Sequence, residues 1–224
     1  MNALTRRRFA HSCLGFLTAA AAAALPGVAL AAPVNEADFE AAWSLFDRAA
    51  AGDGSRTDEA ASRFERMAQA DPSDLVLQAY AGAALTLRGR DAWLPWRKMA
   101  HTEDGLARLD KALAQLQPAH DKPLHRGTPA SMEVRFVAAS VFLGMPGFFN
   151  RGPRGEQLLA EVVSSPLLAA SPVPFQGVVL MRAGQQALKA GKPAEARRHF
   201  EAVLARNAPQ AAAARAALQG MAGL

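Results

Sequence analysis

The stretch that decides the fold is AEARRHFEAVLARNAP, residues 194–209. Its Ala196, Phe200 and Val203 stand at i, i+4 and i+7, so they share one face of a helix, and Pro209 follows where that helix must end. The same order of a small residue, a large apolar residue, a further apolar or small residue and a proline occurs three more times. The corresponding sets are Ala60, Phe64, Met67 and Pro72; Gly105, Leu109, Ala112 and Pro118; and Gly155, Leu159, Val162 and Pro166. Repetition of this kind predicts stacked helical units.

The remaining sequence indicates helices throughout. Apolar residues recur at three- and four-residue spacing in 38–51, 58–70, 74–89, 103–116, 130–143, 155–164, 175–190, 194–207 and 210–219. Gly89 and Gly191 follow two of these ranges, as expected for helix ends, and no alternating apolar/polar run is long enough for a sheet. The sequence therefore predicts an all-α fold.

The four repeated helices resemble the second helix of the tetratricopeptide repeat (TPR). The segments before two of them agree, because LVLQAYAGAALTLRGR and VVLMRAGQQALKAGKPAEA place Gly82 and Gly184 where the first helix of that family needs a small residue. The repeated sets begin 45, 50 and 41 residues apart, against about 34 in the regular repeat. The resemblance implies a right-handed solenoid of about four helix pairs with inserts, and a function in binding proteins or peptides.

Residues 1–31 have the features of a cleavable export signal. A basic segment with Arg6, Arg7 and Phe9 precedes an alanine-rich apolar run, and Ala29 and Ala31 form a small-residue cleavage site. The adjacent arginines resemble the twin-arginine signature, and a general secretory signal is the alternative. We therefore expect a periplasmic protein that consists of residues 32–224.

Cleavage also changes the charge and removes the only cysteine. Loss of Arg6, Arg7 and Arg8 lowers the formal net charge from +5 to +2, which weakens a nucleic-acid interpretation. Cys13 leaves with the signal, so the mature chain would have neither a disulfide nor a thiolate ligand. No later apolar run approaches the ~18 residues that a membrane-spanning helix needs.

Two inserts separate the first and second helices of neighbouring repeats, at 90–102 and 144–154. Equivalent turns of a solenoid lie along one edge, so we expect the inserts to meet there. This edge is the first candidate partner surface, since Trp, other aromatic and Arg residues dominate interfaces. The alternative is that the rings fold back onto the helices. The candidate residues are Trp93, Trp96, Arg97, Lys98, Phe148, Phe149, Arg151 and Arg154.

The concave groove, which first helices line in the TPR family, is the second candidate surface. In register, it would be lined by Val76, Ala79, Ala83, Phe136, Ser140, Met181 and Gln185. This lining is apolar or neutral, which suits an amphipathic partner helix and disfavours a carboxylate clamp. The favoured alternative is that the alanine-rich C-terminal segment of the chain, PQAAAARAALQGM, fills the groove itself.

An enzyme is the competing class of function. His120, Asp121 and His125 fall in one six-residue stretch, HDKPLH, of a predicted loop. Together with His101 they could contribute to a metal-dependent site. No fourth ligand has a matching spacing, and a solvated loop is the simpler interpretation. The chain also has neither a G-x-S-x-G elbow nor a glycine-rich phosphate loop. The sequence thus favours a non-enzymatic scaffold or adaptor with no cofactor.

Overall fold

The computed structural model describes residues 34–221, and within that range the secondary structure is helical, without a β-strand. The helices are α1 Glu36–Ala50, α2 Thr57–Ala70, α3 Leu75–Asp91, α4 Pro95–Ala114, α5 Ala130–Gly144, α6 Gly152–Ser164, α7 Pro166–Ala170, α8 Val173–Lys189, α9 Pro193–Ala205 and α10 Ala211–Gly220. The predicted all-α class is confirmed. The predicted export signal, with Arg6, Arg7, Phe9, Ala29 and Ala31, lies outside the described residues.

Between residues 34 and 221, none of the helices combines the length and the apolar character needed to cross a bilayer.

Local sequence signals explain several helix ends. The Asp74 carboxylate caps α3 by accepting hydrogen bonds from the backbone N–H groups of Val76 and Leu77, at 2.9 and 3.1 Å. Proline occupies the first turn of α4 and α9, where no helical N–H partner is lost. Gly191, with φ at +69°, follows α8 in a left-handed conformation that glycine adopts without strain.

Consecutive helices α3/α4, α5/α6 and α8/α9 pack against each other. The α8/α9 pair is antiparallel, because Gly184 faces Phe200 while Gly177, earlier in α8, faces Ala208, later in the chain. A Cβ atom on Gly184 would lie 2.4 Å from the Phe200 ring, so only glycine permits this approach. Gly82, Gly105 and Gly155 are likewise in close contact with a neighbouring helix, as the sequence predicts for these small residues.

The repeated apolar residues form the core. Phe64, Leu109, Leu159 and Phe200 are all buried, although they come from four different helices. The largest cluster joins residues of α1 to α6, with Ala183 of α8, and a second joins α8, α9 and α10. A third, smaller cluster includes Met132, Val162 and Phe175 and links α5 and α6 to α8. Most helices contribute one apolar stripe to the core, whereas α3 is buried on nearly all sides because neighbouring helices enclose it.

The first insert differs from the prediction. Helix α3 continues to Asp91, so Gly89 lies inside it, and only residues 92–94 connect α3 to α4. Helix α4 begins at Pro95, about two turns before the predicted start at 103. Residues 95–100 are exposed, although Trp96, Met99 and Ala100 stand at the helical spacing i, i+3 and i+4, which the prediction did not use.

The second insert is irregular, as predicted. It contains a short 3₁₀ turn at Gly147–Phe149, and Asn150 then takes a left-handed conformation with φ at +52°. Helix α6 follows from Gly152, with Pro153 in its first turn. The short helix α7 was not predicted, because one and a half turns are too few to show a period.

Candidate binding groove

A large groove crosses the molecule, with a volume of about 1120 Å³. Helices α1, α3, α4, α5 and α8 and the second insert form its walls. Most of the wall is apolar, with Trp43, Phe46, Phe136, Val137, Val141, Met145, Phe149, Phe175 and Val178 among its residues. This volume exceeds the upper end, about 1,000 Å³, of ordinary small-molecule pockets.

The predicted groove residues divide into two groups. Ala83, Phe136 and Ser140 line the groove. Val76 and Ala79 do not, because α3 is enclosed by α2, α4 and α5 and both residues are completely buried in the core. Met181 and Gln185 also lie outside the groove: Met181 packs on the cluster of α8, α9 and α10, and Gln185 is exposed.

The chain does not fill the groove with its own C-terminal segment, so that prediction is wrong. Helix α10 packs on α9, with Ala214 and Met221 buried in the cluster that also contains Phe200. Of residues 209–221, Gln210 alone lines the groove. The end of α9 provides a closer apolar surface, since the connection of only five residues keeps α10 beside it.

Both inserts contribute residues to the lining of the groove. Pro95, Lys98 and Met99 from the first insert line the same groove as Pro146 and Phe148 from the second. Of the eight candidate edge residues, three line the groove, namely Lys98, Phe148 and Phe149. The other five do not, namely Trp93, Trp96, Arg97, Arg151 and Arg154.

The aromatic residues of the inserts have different roles. Trp93, Trp96 and Phe148 are 89, 66 and 74% exposed, so they do not fold back onto the helices. Phe149 is half-buried against the core, and its ring centroid lies 4.5 Å from that of Phe148. The inner phenylalanine anchors the loop, while the outer one is presented at the groove.

The basic residues of the inserts also differ. Arg151 forms an ion pair with Asp110 at 2.8 Å, and its guanidinium lies 5.3 Å from the centre of the Phe142 ring. It therefore holds the second insert against α4 and α5. Arg97, Lys98 and Arg154 are exposed, and the Lys98 ammonium donates to a backbone carbonyl at the end of α3.

A buried ionic cluster that the sequence did not indicate lies at the wall of the groove. The Arg126 guanidinium pairs with the Glu133 carboxylate, and the Tyr80 hydroxyl donates to the same carboxylate at 2.8 Å. Arg126 has a left-handed backbone and stacks over Trp43, 4.2 Å from the ring centre. Burial raises the pKa of Glu133, although the ion pair opposes this effect in part.

His125 belongs to an adjoining cluster and does not join His120 and Asp121 in a metal site. Its Nδ1 lies 3.0 Å from the Glu36 carboxylate and its Nε2 lies 2.7 Å from that of Asp74. His120 instead hydrogen-bonds to the backbone of the preceding turn, and Asp121 accepts from a serine hydroxyl. Within residues 34–221, no three His, Cys, Asp or Glu side chains, His101 included, are grouped so that they could hold a metal ion.

The protonation of His125 is set by two opposing effects. Burial disfavours the imidazolium, but the hydrogen bonds to Asp74 and Glu36 outweigh it and raise the pKa of His125 above its usual value. The imidazole also stacks on Phe39, with ring centroids 4.0 Å apart. The cluster links the start of α1 to the segment before α5 through hydrogen bonds. Its role is therefore to hold two walls of the groove in position.

Comparison with protein-family models, with curated proteins and with solved structures finds no significant match for this chain. The groove itself is therefore the basis for the functional argument.

A further groove residue that the sequence did not indicate is Arg182, in the middle of α8. Its Nη2 donates to the backbone carbonyl of Ser140 on α5 at 2.9 Å. Burial lowers the pKa of Arg182, and among the described residues no carboxylate lies within ion-pair distance of it. Helical register relates it to Val178, four residues earlier on the same face of α8, which also lines the groove.

Proposed function

We propose that this chain is an exported, non-enzymatic scaffold or adaptor of TPR-like helical repeats that binds a segment of a partner protein or peptide. The observation that carries the proposal is a groove of about 1120 Å³ with mainly apolar walls that α10 leaves open. A sequence that folds in water gains stability by burying apolar surface, so a large apolar groove marks a site at which another molecule is bound.

The packing of the helices supports the TPR-like part of the proposal. In each of α4, α6 and α9, the small residue of the repeated set lies against the preceding helix. The large apolar residue four positions later is buried in each case. In the TPR family, helix pairs of this kind stack into a right-handed solenoid whose concave face binds peptides.

The size and the rim of the groove favour a peptide segment over a small molecule. An α-helix with its side chains is about 10–12 Å wide, and an amphipathic one would place its apolar face against the groove wall. Phe148 lines the groove and is exposed, and Trp96 is exposed next to the groove-lining Pro95. Aromatic anchors of this kind dominate protein interfaces.

The proposed export places this function in the periplasm. Arg6-Arg7→Lys-Lys is expected to abolish export if the signal is of the twin-arginine type, as measured by fractionation of cells that express the full chain. Normal export of this variant would assign the chain to the general secretory route and leave the binding proposal unchanged.

Site-specific photo-cross-linking in cells tests the binding proposal. A photoreactive amino acid at Val141, on the groove wall, is compared with one at Ala160, which is exposed on α6 outside the groove. We expect a discrete cross-linked protein from Val141 and none from Ala160, and mass spectrometry would identify the bound segment. Equal yields from both positions, or none from Val141, would contradict the proposal.

Phe148 and Phe149 provide a second comparison. Phe148→Ser should weaken partner capture and leave thermal stability unchanged, because the side chain is exposed. Phe149→Ser should lower the melting temperature, because the ring packs on the core. The reverse result would show that the loop presents the other ring.

A further inference from the structure

Arg182 has hydrogen-bonding capacity that the described part of the protein does not use. Nη2 bonds to the Ser140 carbonyl, and Nε is buried without a partner. Nη1 makes no hydrogen bond among the described residues and is not one of the buried polar atoms, and Arg182 lines the groove, so these donors are available to a ligand there. A guanidinium in an apolar environment is costly unless an anion or several acceptors satisfy it.

The other cations of the groove are already paired or lie at its rim. Arg126 is neutralised by Glu133, and Arg90 forms an ion pair with Asp91 at 2.7 Å. Lys98, in the first insert, is exposed where it lines the groove. Arg182 thus differs from them: it is a half-buried cation within the groove, without a carboxylate partner in residues 34–221.

The surroundings of Arg182 determine what kind of anion can reach it. Phe136 and Phe175 meet edge to face at 5.6 Å between ring centroids, and both line the groove with Val178. A ligand that reaches Arg182 must therefore be apolar where it contacts these residues and negatively charged where it meets the guanidinium. Inorganic anions would lack the first of these properties.

On the basis of the proposed function, we infer that Arg182 binds a side-chain carboxylate of the partner segment. The groove then selects an amphipathic peptide helix that carries one Asp or Glu within its apolar face. Arg90 and Arg126 are neutralised by their own partners, so Lys98 and Arg182 stand against Glu40 and Asp47 and the attraction for an anion is local to Arg182.

The chain's own terminal segments do not provide this occupant. The predicted export signal carries Arg6, Arg7 and Arg8 and no carboxylate side chain, so its charge has the same sign as Arg182. Helix α10 carries Arg215 and likewise no acid, and it is packed on α9. Neither segment therefore carries a carboxylate side chain that could pair with Arg182.

The test uses the full mature chain and a displayed library of short peptides with Leu fixed at i, i+3, i+4 and i+7 and the other positions random. Selection is carried out on the wild-type protein and on Val141→Trp, whose larger side chain obstructs the groove at its wall. Binders are then resynthesised with Gln in place of their acidic residue. Their affinities are measured for the wild type, Arg182→Met, Arg182→Lys and the control Arg135→Met, a change on α5 outside the groove.

We expect wild-type binders to carry an acid on the apolar face, and its replacement by Gln to weaken binding to the wild type by about tenfold or more. The same replacement should change binding to Arg182→Met by less than about threefold. Arg182→Lys should retain most of the preference, and Arg135→Met all of it. If Arg182→Met does not fold, the loss of affinity on replacing the peptide's acid with Gln is compared between the wild type and Arg182→Lys, and this comparison tests the role of Arg182.

The two ways of failing are distinguishable. If no peptide is enriched on the wild type over Val141→Trp, the groove does not bind peptides and the proposed function falls. If apolar peptides are enriched without an acid, or the acid matters equally in Arg182→Met, the groove binds peptides but the role of Arg182 is wrong.

Discussion

Replacing Glu133 with Ala should destabilise the protein by about 3–5 kcal/mol, the cost of removing one partner from a buried ion pair. Glu133 is only 1% exposed, and its carboxylate accepts from both Arg126 and the Tyr80 hydroxyl. Its loss would leave the Arg126 cation against Trp43 without a counter-ion and the buried hydroxyl without an acceptor. Both effects act in the same direction.

Thermal unfolding followed by circular dichroism measures this cost. For a domain of this size, 1 kcal/mol corresponds to about 2–4 °C, so the melting temperature should fall by about 6–20 °C. Glu201→Ala, an exposed control on α9, should leave it nearly unchanged.

A double replacement separates the ion pair from simple loss of packing. Arg126→Met combined with Glu133→Leu removes both charges and keeps apolar volume, so it should cost much less than Glu133→Ala alone. A loss below about 1 kcal/mol for Glu133→Ala would refute the reasoning. So would a double variant as unstable as the single one.

Two further predictions concern packing and pH. Gly184→Ala should cost about 1–3 kcal/mol, because its Cβ would lie 2.4 Å from the Phe200 ring, whereas Gly147→Ala, in open space, should be neutral in the same urea titrations. His125 has a folded pKa above its usual 6.5, so the stability it contributes is fully present below that pH and is lost as the pH rises through the raised value. The stability difference between the wild type and His125→Gln should therefore shrink from pH 6 to pH 9, and a difference that grows with pH would contradict the assigned hydrogen bonds.

The sequence predicts most of the fold because most helices contribute one apolar face to the core. Phe64, Leu109, Leu159 and Phe200 recur in the sequence because each packs in the core. Gly184 is small because Phe200 of the neighbouring helix packs directly against it. The start of α4 at Pro95 was missed because its first turns extend beyond the core. Trp96, Met99 and Ala100 have helical spacing there, but their side chains do not join the core.

The candidate site was predictable only in part. Its rim follows from the position of the inserts between equivalent helices, and Ala83, Phe136 and Ser140 follow from helical register. The polar contacts of the site could not be predicted, because they join residues that are far apart in the sequence. Tyr80 and Glu133, for example, are 53 positions apart, and no local pattern indicates that they form a hydrogen bond. The prediction that the C-terminal segment fills the groove was wrong for a related reason. An alanine-rich helix fits any close apolar surface, and α9 is nearer.

The most direct test of the central claim uses Trp43, which lies on the groove wall, as a reporter of binding. The chain has three tryptophans, so Trp93→Phe with Trp96→Phe leaves Trp43 as the only one. Because Trp96 is itself a proposed anchor, calorimetry on the wild type and on this variant first checks that binding is retained. The segment identified by cross-linking is titrated as a synthetic peptide, and binding is measured in parallel by calorimetry. We predict a saturable change in Trp43 emission with the calorimetric affinity. Calorimetric binding that leaves the emission of Trp43 unchanged would place the partner elsewhere and contradict the account.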